Sequence, residues 1–192
     1  MEDSTRPLNL EADLLVIGWG KAGKTLARDL ASHGRHVVLV ERDDAMIGGT
    51  CINVACVPTK TLVNLAERRG DRNPDEYLKQ AIASRDSLID RLRAANKAML
   101  SGQETVTLVH GEARFTGHRR IRVRAGEETL DITAGAVVVN TGTSPLMPDV
   151  PGIQGRFVYD STTIQHIADG RVPQTLTIVG GGFIGLEFAS MF

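Results

Sequence analysis

The chain has 192 residues, of which 42% are hydrophobic and 23% charged, with a formal net charge of −1. That is an ordinary globular composition, long enough for one full core and the beginning of a second. The near-neutral balance excludes nucleic acid and anionic membranes as obvious partners, and no apolar stretch reaches the roughly 18 residues of a membrane-spanning helix.

The start, MEDSTRPLNLEAD, is acidic and polar, unlike a secretory leader, so residues 1–12 read as a loose arm and the protein as cytoplasmic. Leu14, Leu15, Val16 and Ile17 then form a short apolar run suited to a buried strand. Residues 18–23 make a turn, Leu26, Ala27, Leu30 and Ala31 recur at helical spacing, and Gly34 closes that helix. A second buried strand follows at 37–40. The result is a βαβ unit of about thirty residues.

Next comes IGGTCINVACVPTK, a glycine-rich turn entering a helix. From 74 to about 101, Leu78, Ile82, Ile89, Leu92 and Leu100 predict a long amphipathic helix. Its charged face (Lys79, Arg85, Asp86, Asp90, Arg93, Lys97) is expected to be solvated. Residues 105–133 alternate as short strands, with the basic run Arg119, Arg120, Arg122 and Arg124 on a wet face opposite Ile121 and Val123. Residues 137–139 form a further buried strand ending in NTGTSP. PLMPDVPGIQG reads as a domain boundary, and LTIVGGGFIGLEFASMF begins a second strand–turn–helix.

Gly18, Gly20 and Gly23 give GxGxxG between strand and helix. In that pattern the first glycine makes the turn, the second admits a pyrophosphate, and the third lets helix pack on strand. The phosphates then meet the positive helix N-terminus. Glu41, about twenty residues on at the end of the second strand, stands where an acid would bond a ribose. The same residues, GWGKAGKT, also satisfy the P-loop pattern, with Gly18, Gly23, Lys24 and Thr25 in register. A P-loop hydrolase needs a separate strand ending in Asp for Mg²⁺, and the later strands run into NTG and GGG. ATP hydrolysis is the weaker alternative. Gly180, Gly182 and Gly185 repeat the fingerprint, which suggests two nucleotides in one relay. The acid or arginine that would choose between NADH and NADPH is expected on the next strand, which is absent here, so that choice is not legible.

Cys51 and Cys56 are the two cysteines. On a regular helix, five positions displace the Cα atoms by roughly 7.5 Å along the axis, beyond the usual limit of about 7 Å for a disulfide. A bond between them requires an irregular or barely begun helix at Cys51. The helix N-terminus would favour a reactive thiolate. The other readings are two small buried residues that never bond, or a zinc site with His33 and His36, for which well-spaced ligands are too few.

GGTCINVACVPTK resembles the active-site segment of the class I pyridine nucleotide–disulfide oxidoreductases, which include glutathione reductase, dihydrolipoamide dehydrogenase and mercuric reductase. The resemblance runs through the whole chain, from GWGKAGKTLA to GGGFIGLEFASMF. It looks strongest toward the mercuric-reductase-like branch of bacterial reactive-chlorine-resistance flavoproteins, reported to reduce copper(II). The fold it implies is α/β. Residues 13–150 would form a Rossmann-like, three-layer FAD-binding domain with a small antiparallel β meander. Residues 151–192 would start an NAD(P)-binding Rossmann domain.

The activity implied is electron flow from NADH or NADPH to FAD, to the Cys51–Cys56 disulfide, and on to a small-molecule or metal-ion substrate. Cys56 would lie against the flavin and Cys51 would exchange with substrate. Lys60 would sit by the flavin ring and pair with Glu187 as a buried, tuning ion pair. FAD contacts would fall on the first glycine loop with Lys21 and Ala22, on Glu41 and Arg42, and on Gly49 and Thr50. Gly111, Ala113, Thr141 and Gly142 would complete them. Nicotinamide contacts would fall on Gly180, Gly182, Phe183, Ile184, Gly185 and Glu187. No permanent metal is expected, although a dithiolate at Cys51 and Cys56 suits transient copper or mercury.

Two departures stand out. Ala55 replaces the family's usual Gly, adding bulk beside Cys56. The family's chains run to well over twice this length, and their dimerisation domain, which supplies a His–Glu acid–base pair across a homodimer, has no counterpart here. The five histidines (His33, His36, His110, His118, His166) match none of that machinery. A truncated, non-catalytic FAD-binding remnant is therefore a further reading.

Overall fold

The computed structural model describes residues 8–167 and 171–192. In chain order its elements are β1 (Leu8–Ile17), α1 (Lys21–Ser32), β2 (Val37–Glu41), α2 (Thr50–Asn53), α3 (Cys56–Glu67), α4 (Pro74–Ser101), β3 (Val106–His110), β4 (Glu112–Gly117), β5 (Arg120–Ala125), β6 (Glu128–Val139) and α5 (Phe183–Met191). Short 3-10 turns lie at Asp44–Met46 and Thr163–His166. The chain divides into two compact units, one holding Leu92–Gly142 with the residues up to Thr50, the other Cys51–Arg91 with Thr143–Phe192.

The first unit is built on one six-stranded sheet, ordered β3-β2-β1-β6-β5-β4. β1, β2, β3 and β6 run parallel; β4, β5 and β6 form an antiparallel meander. Because side chains alternate across a strand, Leu14, Val16 and Leu39 face one side, where Ala27 of α1 and Leu100 of α4 cover them. Leu15, Val38 and Val40 face the other, where Ile121, Val123 and Ile132 cover them. The sheet thus curls back on itself, and Gly111 N donates to Glu41 O at 2.9 Å. Both faces of β1 and β2 are dry at residues 14–16 and 37–40, which is why these strands read as unbroken apolar runs. The 137–139 stretch, expected to be buried, is half-buried at Val137 and Val138 and 63% exposed at Val139, at the end of β6.

Two expectations are corrected here. β1 begins at Leu8, inside the stretch expected to be a loose arm, because the long β6 offers partners back to Leu8↔Leu130 and Leu10↔Ile132. The meander and the strand expected at 137–139 are not separate. β6 is continuous, pairing with β5 on one edge over residues 128–133 and with β1 on the other over 130–139. The arginine row behaves as expected: Ile121 and Val123 are buried, while Arg122 forms a two-pronged pair with Asp131 and Arg124 pairs with Glu112 across the strands.

The second unit packs α3, α5, the first part of α4 and the Thr163–His166 turn around Leu62, Ala81, Ile164, Phe188 and Met191. Arg85 corrects the solvated-face expectation. Its side chain is 0% exposed and donates to Gln165 O at 2.7 Å and to Asp86 Oδ1. Residues 176–179, expected as a strand, form no strand among the described residues. Among the described residues no helix is long and apolar enough to cross a membrane.

Candidate cofactor and redox sites

The first glycine loop lies at the C-terminal ends of β1 and β6. Gly18 takes φ +97°, and a Cβ there would stand 2.4 Å from Asn140 O, so no other residue fits. Gly23 is required for a different reason: its Cβ would meet Val16 Cγ1 at 2.5 Å, prising α1 off the sheet. α1 starts from Gly20, which provides no side-chain cap, and its first turn carries no acid. The first N–H groups of the helix and its positive dipole end are thereby left for an outside anion. Glu41 is fixed beside the loop, accepting from Trp19 N and Arg42 N at 2.9 Å each and from Asp43 N at 3.2 Å. A carboxylate has about four acceptor positions, so one remains for a hydroxyl. These features fit a dinucleotide.

Sequence reasoning missed the residue that locks this loop. Asn140 Nδ2 donates to Gly18 O at 3.1 Å and to Gly20 O at 2.9 Å, while its backbone N donates to Ile17 O. Its position at the end of β6, just before Thr141 and Gly142, was the available signal. Gly142 has φ +73° and lies against Thr50 Oγ1; Gly49 backs onto Gly20. Lys21, Ala22 and Arg42 are exposed, and Ala113 is half-buried opposite Val123. The P-loop alternative fails on Lys24. It lies one turn inside α1, is 7% exposed, and bonds Asn96 Oδ1, whereas a P-loop lysine serves phosphates from the helix start.

The cysteine segment is an interrupted helix. α2 ends at Asn53 and α3 begins at Cys56, with Ala55 at φ −124° and ψ −104° between them. The cause is Pro58. In a continuous helix the Val54 carbonyl would take the N–H of residue 58, but proline has none and its ring crowds that carbonyl. α3 therefore starts with the bond Thr59 N to Ala55 O at 3.1 Å. The break supplies the irregularity that a Cys51–Cys56 bond requires. Ala55 has negative φ, so its methyl group meets no left-handed penalty. Cys51 is half-buried and Cys56 exposed.

One turn along, Lys60 Nζ lies 2.7 Å from Glu187 Oε1. The expected pair is a surface one: the side chains are 69% and 35% exposed, because both helices present these positions outward. The hydrogen bond and then the charge of Glu187 raise the Lys60 pKa above its ordinary value, and the nearby Cys56 sulfur adds to it.

The second glycine loop repeats the first. Gly180 has φ +111° as Gly18 has +97°, and Gly182 opens α5 at −76°, 171° as Gly20 opens α1 at −64°, 162°. A Cβ on Gly185 would stand 3.1 Å from Ile178 Cγ2, as one on Gly23 would press on Val16. α5 also lacks a side-chain cap and a first-turn acid. Phe183 and Ile184 are exposed. Among the described residues, no group of three or more His, Cys, Asp or Glu side chains gathers as a metal site would need.

Comparison with known proteins agrees with these features. The profile of the family described as pyridine nucleotide-disulphide oxidoreductase matches residues 12–192. The probable pyridine nucleotide-disulfide oxidoreductase RclA of Escherichia coli (strain K12) is 41% identical over 179 residues, covering 93% of this chain and 39% of that protein. The mercuric reductase of Streptomyces lividans is 33% identical, covering 94% and 40%. The structure described as a Cu(II) complex of the HOCl-induced flavoprotein disulfide reductase RclA from Escherichia coli superposes with a TM-score of 0.85 at 40% identity. That superposition covers 94% of this chain and 40% of the other. The chain spans about two fifths of the length of these relatives. Its fold is that of a Rossmann-like FAD-binding domain, and it belongs to the pyridine nucleotide–disulfide oxidoreductase family.

Proposed function

We propose that this chain carries the FAD-binding and disulfide-bearing part of an NAD(P)H-dependent oxidoreductase. Bound FAD would accept the two electrons of the nicotinamide hydride and deliver them to the disulfide. The first glycine loop, Glu41 and the Thr141–Gly142 segment would hold FAD through backbone N–H groups and one carboxylate, as the uncapped start of α1 favours. The second loop would hold the nicotinamide nucleotide in the same way. By analogy with the family, Cys56, an exposed residue, would lie on the flavin side and Cys51, half-buried, would exchange with substrate. Lys60, held protonated by Glu187, would stabilise negative charge developing beside Cys56.

The observation carrying this reading is the helix broken between Cys51 and Cys56 by Pro58. A structural pair of cysteines needs no such break. Reduction of the disulfide takes two electrons and two protons and leaves two thiols. Reoxidation by a metal acceptor would reduce two copper(II) ions to copper(I), release two protons and restore the bond. Copper(II) is the acceptor we favour, since a soft dithiolate suits copper(I) and a related structure is described as a Cu(II) complex.

The test is an absorption spectrum of the purified chain with FAD, then with NADH or NADPH, then with copper(II). Retained flavin that bleaches with nicotinamide, in a chain that then reduces copper(II), supports the reading. Retained flavin that never bleaches would leave an FAD-binding remnant, and absence of flavin binding would sink the proposal.

A further inference from the structure

Pro58 breaks the helix, and in doing so strips the Val54 carbonyl of its helical donor in the turn between the cysteines. A side chain distant in sequence supplies one. Gln165 Nε2 donates to Val54 O at 3.0 Å and to Ser161 O at 2.7 Å. Gln165 is 3% exposed, so water cannot readily take its place. Gln165 is itself held: Arg85 Nη1 donates to its backbone O at 2.7 Å. Arg85 is wholly buried and its charge is met by Asp86 Oδ1, 2.6 Å from Nη2. A continuous run of contacts therefore leads from Asp86 and Arg85 on α4, through Gln165, to the residue midway between Cys51 and Cys56. Such an investment of buried polar groups at a surface turn is costly unless the turn's shape matters.

We propose that Gln165, seated by Arg85, is a positioning residue for the Cys51–Cys56 pair. By holding the Val54 carbonyl it fixes the shape of the interrupted turn that joins the two cysteines, and so biases closure of the bond between them. The inference rests on the reading of these cysteines as a redox pair and adds the group that sets their poise. Without it the turn samples more arrangements, ring closure loses effective concentration, and the disulfide becomes easier to reduce.

The experiment equilibrates the purified 192-residue chain with glutathione buffers of graded ratio. In the reaction read, two thiols and one oxidised glutathione give the internal disulfide and two reduced glutathiones. The closed fraction is measured by mass after alkylation. Gln165→Met, similar in size but lacking the donor, is expected to lower the closure constant about tenfold, which for a two-electron couple is about 30 mV. Arg85→Met should move it in the same direction, and the double variant no further than the larger single effect, since both act through one path. Thermal unfolding of the dithiol forms runs alongside. A merely structural role predicts lowered melting with an unchanged closure constant, and that outcome overturns the proposal. Should Gln165→Met not fold, Gln165→Glu, which keeps the shape and loses the donor, takes the same measurement with the same two outcomes. If the parent chain forms no internal disulfide at any buffer ratio, the redox-pair reading falls instead, and the positioning role with it.

Discussion

At the scale of single residues, the first glycine loop depends on an amide that stands outside it in sequence. Asn140 ties the carbonyls of Gly18 and Gly20 together, so the loop's N–H groups stay aimed outward. Each such bond contributes about 0.5–1.5 kcal/mol net. Asn140→Ala is therefore expected to weaken FAD binding about tenfold in a fluorescence titration, at about 1.4 kcal/mol per decade. The pair Lys60–Glu187 gives a second, electrostatic expectation. Its folded-state lysine pKa is raised, so the pair's contribution is complete below about 10.4 and fades as pH rises through the folded value. Exposure keeps that contribution small. Glu187→Gln should return the Lys60 ammonium toward its ordinary titration, read by NMR of Nζ, and leave stability at neutral pH nearly unchanged. The glycines of this site were legible because each answers a local backbone demand. Asn140 and Arg85 were not. An asparagine after a strand and an arginine in a charged helical row look alike whether buried or wet, and only the placement of distant segments decides.

At the scale of elements, the broken helix is where local rule and long-range contact meet. That a bond between Cys51 and Cys56 would require an irregular or barely begun helix at Cys51 followed from the five-residue spacing. That Pro58 causes the break follows from the missing N–H at the third position of α3. Pro58→Ala restores the donor to Val54 and lets α3 grow back toward Cys51. The disulfide should then close less readily, and the effect of Gln165→Met should vanish in that background, both read from the same glutathione equilibria. The short Thr163–His166 turn that carries Gln165 is capped by Asp160, which accepts from Thr162 N at 2.9 Å and from Thr163 N and Oγ1 at 2.7 and 2.9 Å. Burial alone would push this carboxyl upward and is the largest single influence, yet the three bonds together hold it below its ordinary 3.8. The stabilisation is thus present above about pH 4 and lost as pH falls through the lowered value. The protection of amides 163–166, measured as exchange relative to an unstructured peptide at the same pH, should stay flat from neutral pH down to about 5 and fall at lower pH, and Asp160→Asn should remove that acid dependence. The strand expected at 176–179 failed for the converse reason: a strand exists only by its partner, which no local pattern supplies.

At the scale of the whole molecule, the chain is two compact units, each holding one glycine loop of nearly the same backbone shape. The repetition was legible in the sequence because Gly18/Gly20/Gly23 and Gly180/Gly182/Gly185 share spacing, and spacing fixes φ, capping and helix–strand contact together. The curl of the sheet was not, since it depends on β6 serving two neighbours at once. The units can be interrogated separately. The single tryptophan, Trp19, lies inside the first loop and is buried in that unit's core, so its emission reports that unit alone. Both tyrosines, Tyr77 and Tyr159, lie in the other. A ligand that binds only the folded state at a hundred times its dissociation constant stabilises by about 2.7 kcal/mol. For units of this size that is on the order of 10 °C in the midpoint. FAD is therefore expected to quench Trp19 and raise its unfolding midpoint by that order, whereas ATP with Mg²⁺ should leave it in place, because Lys24 is committed to Asn96 inside the core. A shift with ATP and none with FAD would mean that the uncapped start of α1 serves a single nucleotide, and the electron relay would lose its first binding site.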